Sequence, residues 1–135
     1  MNSISSERRI AVTPYNSKTL ALPLPESDAG LIASFAPKRR REARRARNEG
    51  VEYRIHPFPD LDSDTLEEMA RLHAAWTGQR RLPGFSEPFL DSVRAAFRGT
   101  GHCVLARRDG RLAAVFYLLL HDRVGFYYYT YSEPA

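Results

Sequence analysis

The 135 residues include a single cysteine, Cys103. An internal disulfide is therefore excluded, and a reducing compartment suits the chain. Cys103 lies inside an apolar run, where a thiol packs as a small hydrophobe rather than acting as a nucleophile. No cluster of Cys and His has the spacing of metal ligands, so no metal site is expected. The longest apolar run, Leu112 to Leu120, falls far short of the roughly 20 residues of a membrane-spanning helix. The first sixteen residues are polar with scattered charges and lack the apolar core of a secretory signal. A soluble, cytoplasmic protein follows as the expectation. The eight glycines stand singly or at turns, so no glycine-rich loop is available to cradle a phosphate. Internal repeats are absent, and the only biased tract is a run of arginines.

What is present points to one globular domain. Hydrophobic residues make up 43% of the chain, with seven Tyr and seven Phe, enough for one real core but not two. The net charge of +4 is unevenly placed. Lys38, Arg39, Arg40, Arg41, Arg44, Arg45 and Arg47 are offset only by Glu42 and Glu49, so one short segment makes the whole protein basic.

Residues 1–18 read as a flexible arm. Thr19 to Leu24 is a short strand candidate, closed by Pro23 and Pro25. Ser27 or Asp28 can cap a short helix through Phe35. Pro37 stands at a first helical position, opening a helix to Glu49 with Gly50 placed for a left-handed cap. Val51, Tyr53 and Ile55 alternate with polar residues and predict a strand that Pro57 ends. Asp64 and Glu67 have capping-box spacing before a helix over Thr65 to Gln79, whose apolar face carries Leu66, Met69, His73 and Trp76. A loop with Gly78, Pro83 and Gly84 follows. Ser86 caps the next helix, with Phe89, Val93 and Phe97 on its buried face and Gly99 and Gly101 at its end.

Three strands then run in succession: His102 to Arg107, Leu112 to His121 and Val124 to Tyr131. Asp109-Gly110 is a strong two-residue hairpin signal, and a second turn falls around His121 to Arg123. The middle strand is apolar on both faces, as in a central strand sandwiched between helices. The last, Val124-Gly-Phe-Tyr-Tyr-Tyr-Thr-Tyr131, carries aromatics on both faces and calls for cover on each and a further neighbour at its edge. Strict alternation would set Tyr127, Tyr129 and Tyr131 on one face and Tyr128 with Thr130 on the other.

From Val51 the order of strand, helix, helix and three antiparallel strands resembles the first half of the GNAT acyltransferase fold. Leu22-Pro-Leu-Pro25, the segment from Pro37 through Arg47 to Gly50, Leu72-His73 with Trp76, Asp109-Gly-Arg-Leu-Ala-Ala114 and Tyr127-Tyr-Tyr-Thr-Tyr-Ser-Glu-Pro134 are similar to the FemAB-like branch. That branch includes CelD and BcsL type acetyltransferase domains of bacterial polysaccharide and envelope pathways. The resemblance spans about Leu20 to Pro134. It implies an α+β fold with a mixed, mainly antiparallel sheet flanked by helices and incomplete at the C-terminus, residues 19–135 being the N-terminal portion of one domain. It further implies transfer of an acetyl or similar acyl group from acyl-CoA, as co-substrate, to an amine or hydroxyl of a small molecule, glycan or envelope precursor. In GNAT proteins the counterpart of Phe126 to Ser132 splays from its next neighbour and pairs with the pantetheine arm, so Tyr129, Thr130, Tyr131 and Ser132 become acyl-CoA-binding candidates. The family's glycine-rich pyrophosphate loop has no counterpart here, so weak CoA binding by this chain alone is the expectation.

Each candidate has a plainer reading. His73 can act as a base or hold an acceptor, or be a half-buried core histidine. Trp76 can stack on substrate or simply pack, and Tyr127 can line the acyl cleft. Glu133, just past the last strand, can take a proton from an attacking nucleophile or be a solvated carboxylate. The basic segment Lys38 to Arg47 is either a solvated face or a surface for an anionic partner, including nucleic acid in the rival reading of a small basic binding module. No recognition module supports the latter.

Overall fold

A computed structural model describes residues 23–80 and 84–134. The chain divides into two units, with the boundary along the sequence between Phe35 and Ala36. In the first, helix α1 (Asp28–Ser34) begins where the Ser27 hydroxyl accepts the Gly30 N–H at 3.1 Å, the capping predicted for that serine. The arm 1–18 and most of the strand candidate lie outside the described residues. Pro23 and Leu24, which lie within them, belong to no strand.

The second unit runs α2 (Pro37–Asn48), β1 (Val51–Pro57), a 3-10 turn (Phe58–Asp60), α3 (Ser63–Arg80), α4 (Glu87–Ala96), β2 (Gly101–Arg108), β3 (Arg111–His121) and β4 (Val124–Ser132). The four strands form one antiparallel sheet in sequential order, so the α+β expectation holds. Pro37 opens α2 and Gly50, at φ 70°, follows its end, as read from sequence. Both tight turns twist in the sense that suits strand pairs. Asp109 and Gly110 have φ of 52° and 76°, Asp122 and Arg123 of 45° and 65°.

Several expectations need correction. Helix α3 starts earlier than Thr65 and continues through Gly78; its cap is Asp62, whose Oδ1 accepts the Thr65 N–H at 2.7 Å, and not Asp64. That bond holds the Asp62 carboxyl below its usual range. Helix α4 buries Leu90 and Val93, while Phe89 and Phe97 are exposed. Arg94, on the inner side of α4 with Leu90 and Val93, donates to the Tyr117 hydroxyl at 2.6 Å.

One sheet face meets α3 and α4 across a core that includes Met69, Leu72, Leu90, Val93, Leu105, Val115, Tyr117 and Tyr131. Phe58 closes one end, its ring lying where a Cβ at Gly101 would stand only 2.1 Å away. Glycine is therefore required there by close approach. The opposite face is half open rather than sandwiched: Phe116 and Leu118 are partly buried, and Tyr53, Ile55 and Tyr127 are exposed. Helix α2 packs against β1.

The strict alternation of β4 also fails. Tyr117 pairs with Tyr129 and Leu118 with Tyr127, leaving Tyr128 as the extra residue of a β-bulge. Tyr129 and Tyr131 consequently face the helices, while Tyr127 turns to the other side and packs on Phe116 with ring centroids 4.7 Å apart. Among the described residues β4 has no strand on its outer side.

Candidate functional site

Among the described residues His73 is the buried polar side chain, 3% exposed. The amphipathic pattern of α3 places it inward, one turn beyond Met69. A buried imidazole needs partners at both nitrogens, and it has them. Nδ1 lies 2.8 Å from Glu87 Oε1, and Nε2 lies 2.8 Å from the Tyr129 hydroxyl. An ionised carboxylate only accepts, so Nδ1 carries the proton and donates to Glu87. In the neutral ring Nε2 is then the acceptor of the Tyr129 O–H.

Three elements supply this chain. α3 provides His73, the first turn of α4 provides Glu87, and the bulge of β4 aims Tyr129 inward. The second carboxylate oxygen of Glu87 stands 3.9 Å from Arg94 Nη2, and the same guanidinium meets Asp91 and Tyr117. Burial pushes the Tyr129 hydroxyl above its ordinary range; the Glu87 charge adds to this and the Phe85 backbone N–H opposes it. Burial likewise raises Tyr117 to about 12. Tyr131 lies against His73 with ring centroids 4.8 Å apart. Its hydroxyl, beside that of Tyr117, meets no partner at hydrogen-bond geometry. Cys103 is fully buried and its thiol is pushed up to about 12 by desolvation, which removes it as a nucleophile.

Aromatic rings surround the His73–Tyr129 bond. Trp76 stacks on His73 at 6.4 Å and meets Tyr129 in a T-shaped pair at 5.9 Å. Phe85 packs on Tyr129 at 4.7 Å and on Tyr128 at 5.9 Å. Gly84 passes over the bond so closely that a Cβ would lie 3.1 Å from the Tyr129 hydroxyl and 3.7 Å from His73 Nε2.

Of the residues predicted from sequence, His73, Trp76, Tyr129 and Tyr131 are thus brought together. The others are elsewhere. Tyr127 is on the opposite face, and the Thr130 hydroxyl donates to the Val115 carbonyl at 2.9 Å. Ser132 and Glu133 border a cavity of about 330 Å³ shared with Glu49, Tyr53 and Arg108. The Glu133 carboxylate is engaged by Arg111 at 3.0 Å and its N–H by the Ala113 carbonyl. Glu87 and Arg94 were not foreseen. Glu87 follows Ser86 at a helix start, where an acidic residue is already accounted for by the helix dipole, so its tertiary role left no separate signal.

Among the described residues no group of His, Cys, Asp and Glu could hold a metal ion, and no helix is long and apolar enough to cross a membrane. Residues 34–135 match the family model of the acetyltransferase (GNAT) domain. No curated protein matches the chain. Among solved structures it is similar to the C-terminal domain (DUF2156) of a protein named as a lysylphosphatidylglycerol synthetase from Agrobacterium fabrum. The TM-score is 0.57 at 13% identity, over 76% of this chain. The chain spans about a third, 34%, of that structure's length, and at this identity the likeness is one of fold.

Proposed function

Since the chain belongs to the acetyltransferase (GNAT) domain family, we propose that it moves an acetyl or similar acyl group from acyl-CoA to an amine or hydroxyl. The observation that carries this reading is the outer edge of β4, bulged at Tyr128 and next to the His73–Tyr129 bond. A free strand edge offers alternating N–H and C=O groups, which suits an extended pantetheine arm along Phe126 to Ser132. A bulge takes one residue out of the ladder, and a backbone N–H so released suits a carbonyl oxygen that gains charge in the transition state. Orientation and that stabilisation are the main requirements, with no covalent nucleophile.

We assign the acceptor to the side of the strand where His73, Trp76 and Tyr129 cluster. Glu133, already engaged by Arg111, is the weaker choice for taking a proton. The similarity to FemAB-like domains supports an acceptor from envelope or exopolysaccharide synthesis, met in the cytoplasm where acyl-CoA is made. The exposed basic helix α2, none of whose residues is buried, favours an acceptor or surface that carries phosphate.

Calorimetry with acetyl-CoA, followed by a thiol-release assay against panels of amines and alcohols, tests the reading. Saturable binding and acceptor-dependent release of CoA are expected. Absence of both, alongside micromolar binding of single-stranded or duplex nucleic acid that weakens steeply with salt, would replace it with a basic binding module.

A further inference from the structure

Within the acyl-transfer reading, on which this rests, we infer that Tyr129 is the catalytic group that exchanges protons with the reactants, and that His73 and Glu87 act through it. Glu87 Oε1, His73 Nδ1, His73 Nε2 and the Tyr129 hydroxyl form one unbroken chain with both contacts at 2.8 Å. Its inner end is buried, and its outer end lies on the bulged strand among Trp76, Phe85 and Tyr128.

The direction of the chain follows from its ends. Glu87 fixes the proton on Nδ1 and leaves the Nε2 lone pair for Tyr129. As the acceptor's N or O attacks the thioester carbonyl, its proton passes to the Tyr129 oxygen while the phenolic proton moves to Nε2. The new C–N or C–O bond forms and the C–S bond breaks, its electron pair leaving on sulfur. The imidazolium then returns a proton through the same hydroxyl to the departing thiolate. Atoms and electrons balance with no oxidant and no metal. Tyrosine stays neutral at each stage, which fits a hydroxyl whose ionisation burial opposes. The carboxylate of Glu87 offsets the transient imidazolium charge, as the acid of a carboxylate–histidine pair does.

The charged and titratable groups facing His73 fit this assignment. From α4 they are Glu87 and, beyond it, Arg94 with its partner Asp91. From β4 they are Tyr129 and Tyr131, and from β3 Tyr117 behind Arg94. Among the described residues no cation contacts His73 directly, and Arg94 faces the two carboxylates of Glu87 and Asp91.

The test uses acetyl-CoA with ethanolamine, which carries both candidate nucleophiles, and reads CoA release across pH together with NMR of the His73 ring nitrogens. Tyr129→Phe is expected to lower kcat by about 10²–10⁴-fold, the usual range for a general acid–base group, with acetyl-CoA affinity and the Nδ1–H tautomer retained. Glu87→Gln keeps an acceptor for Nδ1–H but removes the charge. It should lower kcat and alter both the pH dependence of the rate and the nitrogen signals of the His73 ring, because the imidazolium loses its counter-charge. A packing role would move neither. Wild-type rates and pH profile in both variants, with turnover intact, would overturn the relay while leaving acyl transfer standing. A wild-type protein that neither binds nor turns over acetyl-CoA would instead remove the acyl-transfer reading and the relay with it.

Discussion

Replacing Gly84 by alanine is the most incisive perturbation of the site that leaves every polar group in place. The added Cβ would stand 2.7 Å from Thr77 Cγ2, 3.1 Å from the Tyr129 hydroxyl and 3.7 Å from His73 Nε2. Carbon atoms pack comfortably at about 3.5–4.0 Å, so the Thr77 methyl or the Gly84 backbone must move by roughly 1 Å, and the Tyr129 hydroxyl by a few tenths. Stability should change little. An overpacking cost of about 1 kcal/mol, at the low end for such sites, is largely offset by the 0.4–1 kcal/mol that Gly→Ala commonly gains through the unfolded chain. Activity should fall more, since a misplacement near 1 Å can cost about 10²-fold in rate. Thr77→Ser removes the crowded methyl and keeps the Oγ1 bonds to the His73 and Ala74 carbonyls at 3.0 and 3.1 Å. The double variant should therefore recover much of the lost rate. Urea denaturation and acetyl-CoA turnover, measured side by side, decide it. A Gly84→Ala protein with the wild-type rate, or a loss that Thr77→Ser does not relieve, would refute the reasoning.

Gly101→Ala forces a methyl to 2.1 Å from a Phe58 ring that itself packs on Tyr117; a loss of about 1–3 kcal/mol is expected in chemical denaturation, partly recovered by adding Phe58→Leu. In the second hairpin, Asp122 and Arg123 hold positive φ, which costs a side-chain-bearing residue about 1–2 kcal/mol. Changing the pair to Asn-Gly should raise the urea midpoint by the equivalent of about 1 kcal/mol, and an unchanged midpoint would argue against the turn assignment. Cys103, buried with its thiol pushed up to about 12, should resist a thiol-specific reagent in the native protein at neutral pH and react once denaturant is added; fast native labelling would contradict its place in the core.

The elements were legible where one residue type has one conformational meaning. Pro37, Gly50 and Asp109-Gly110 marked boundaries because proline fixes φ and glycine accepts positive values, and the inward set Met69, His73 and Trp76 followed from helical spacing alone. The bulge was not legible, since three consecutive tyrosines give alternation no way to tell which is skipped. It is also what separates Tyr127 from Tyr129, and so decides which tyrosine meets His73. Likewise, reading α4 by apolar residues favoured Phe89 and Phe97, when the inward side holds Leu90, Val93 and Arg94, the last bonded to Tyr117, a partner 23 residues away. The His73 site was half legible for the same reason: its own helix announced the histidine, but Glu87 and Tyr129 join it only through tertiary packing.

The edge of β4 carries the functional account, and it can be observed directly. Backbone amide resonances recorded during titration with acetyl-CoA should shift along Phe126 to Ser132, with the largest changes at the bulge around Tyr128 and a smaller response at His73 and Phe85. Shifts that avoid β4 altogether, falling on α2 or on the cavity beside Arg108 and Glu133, would contradict it.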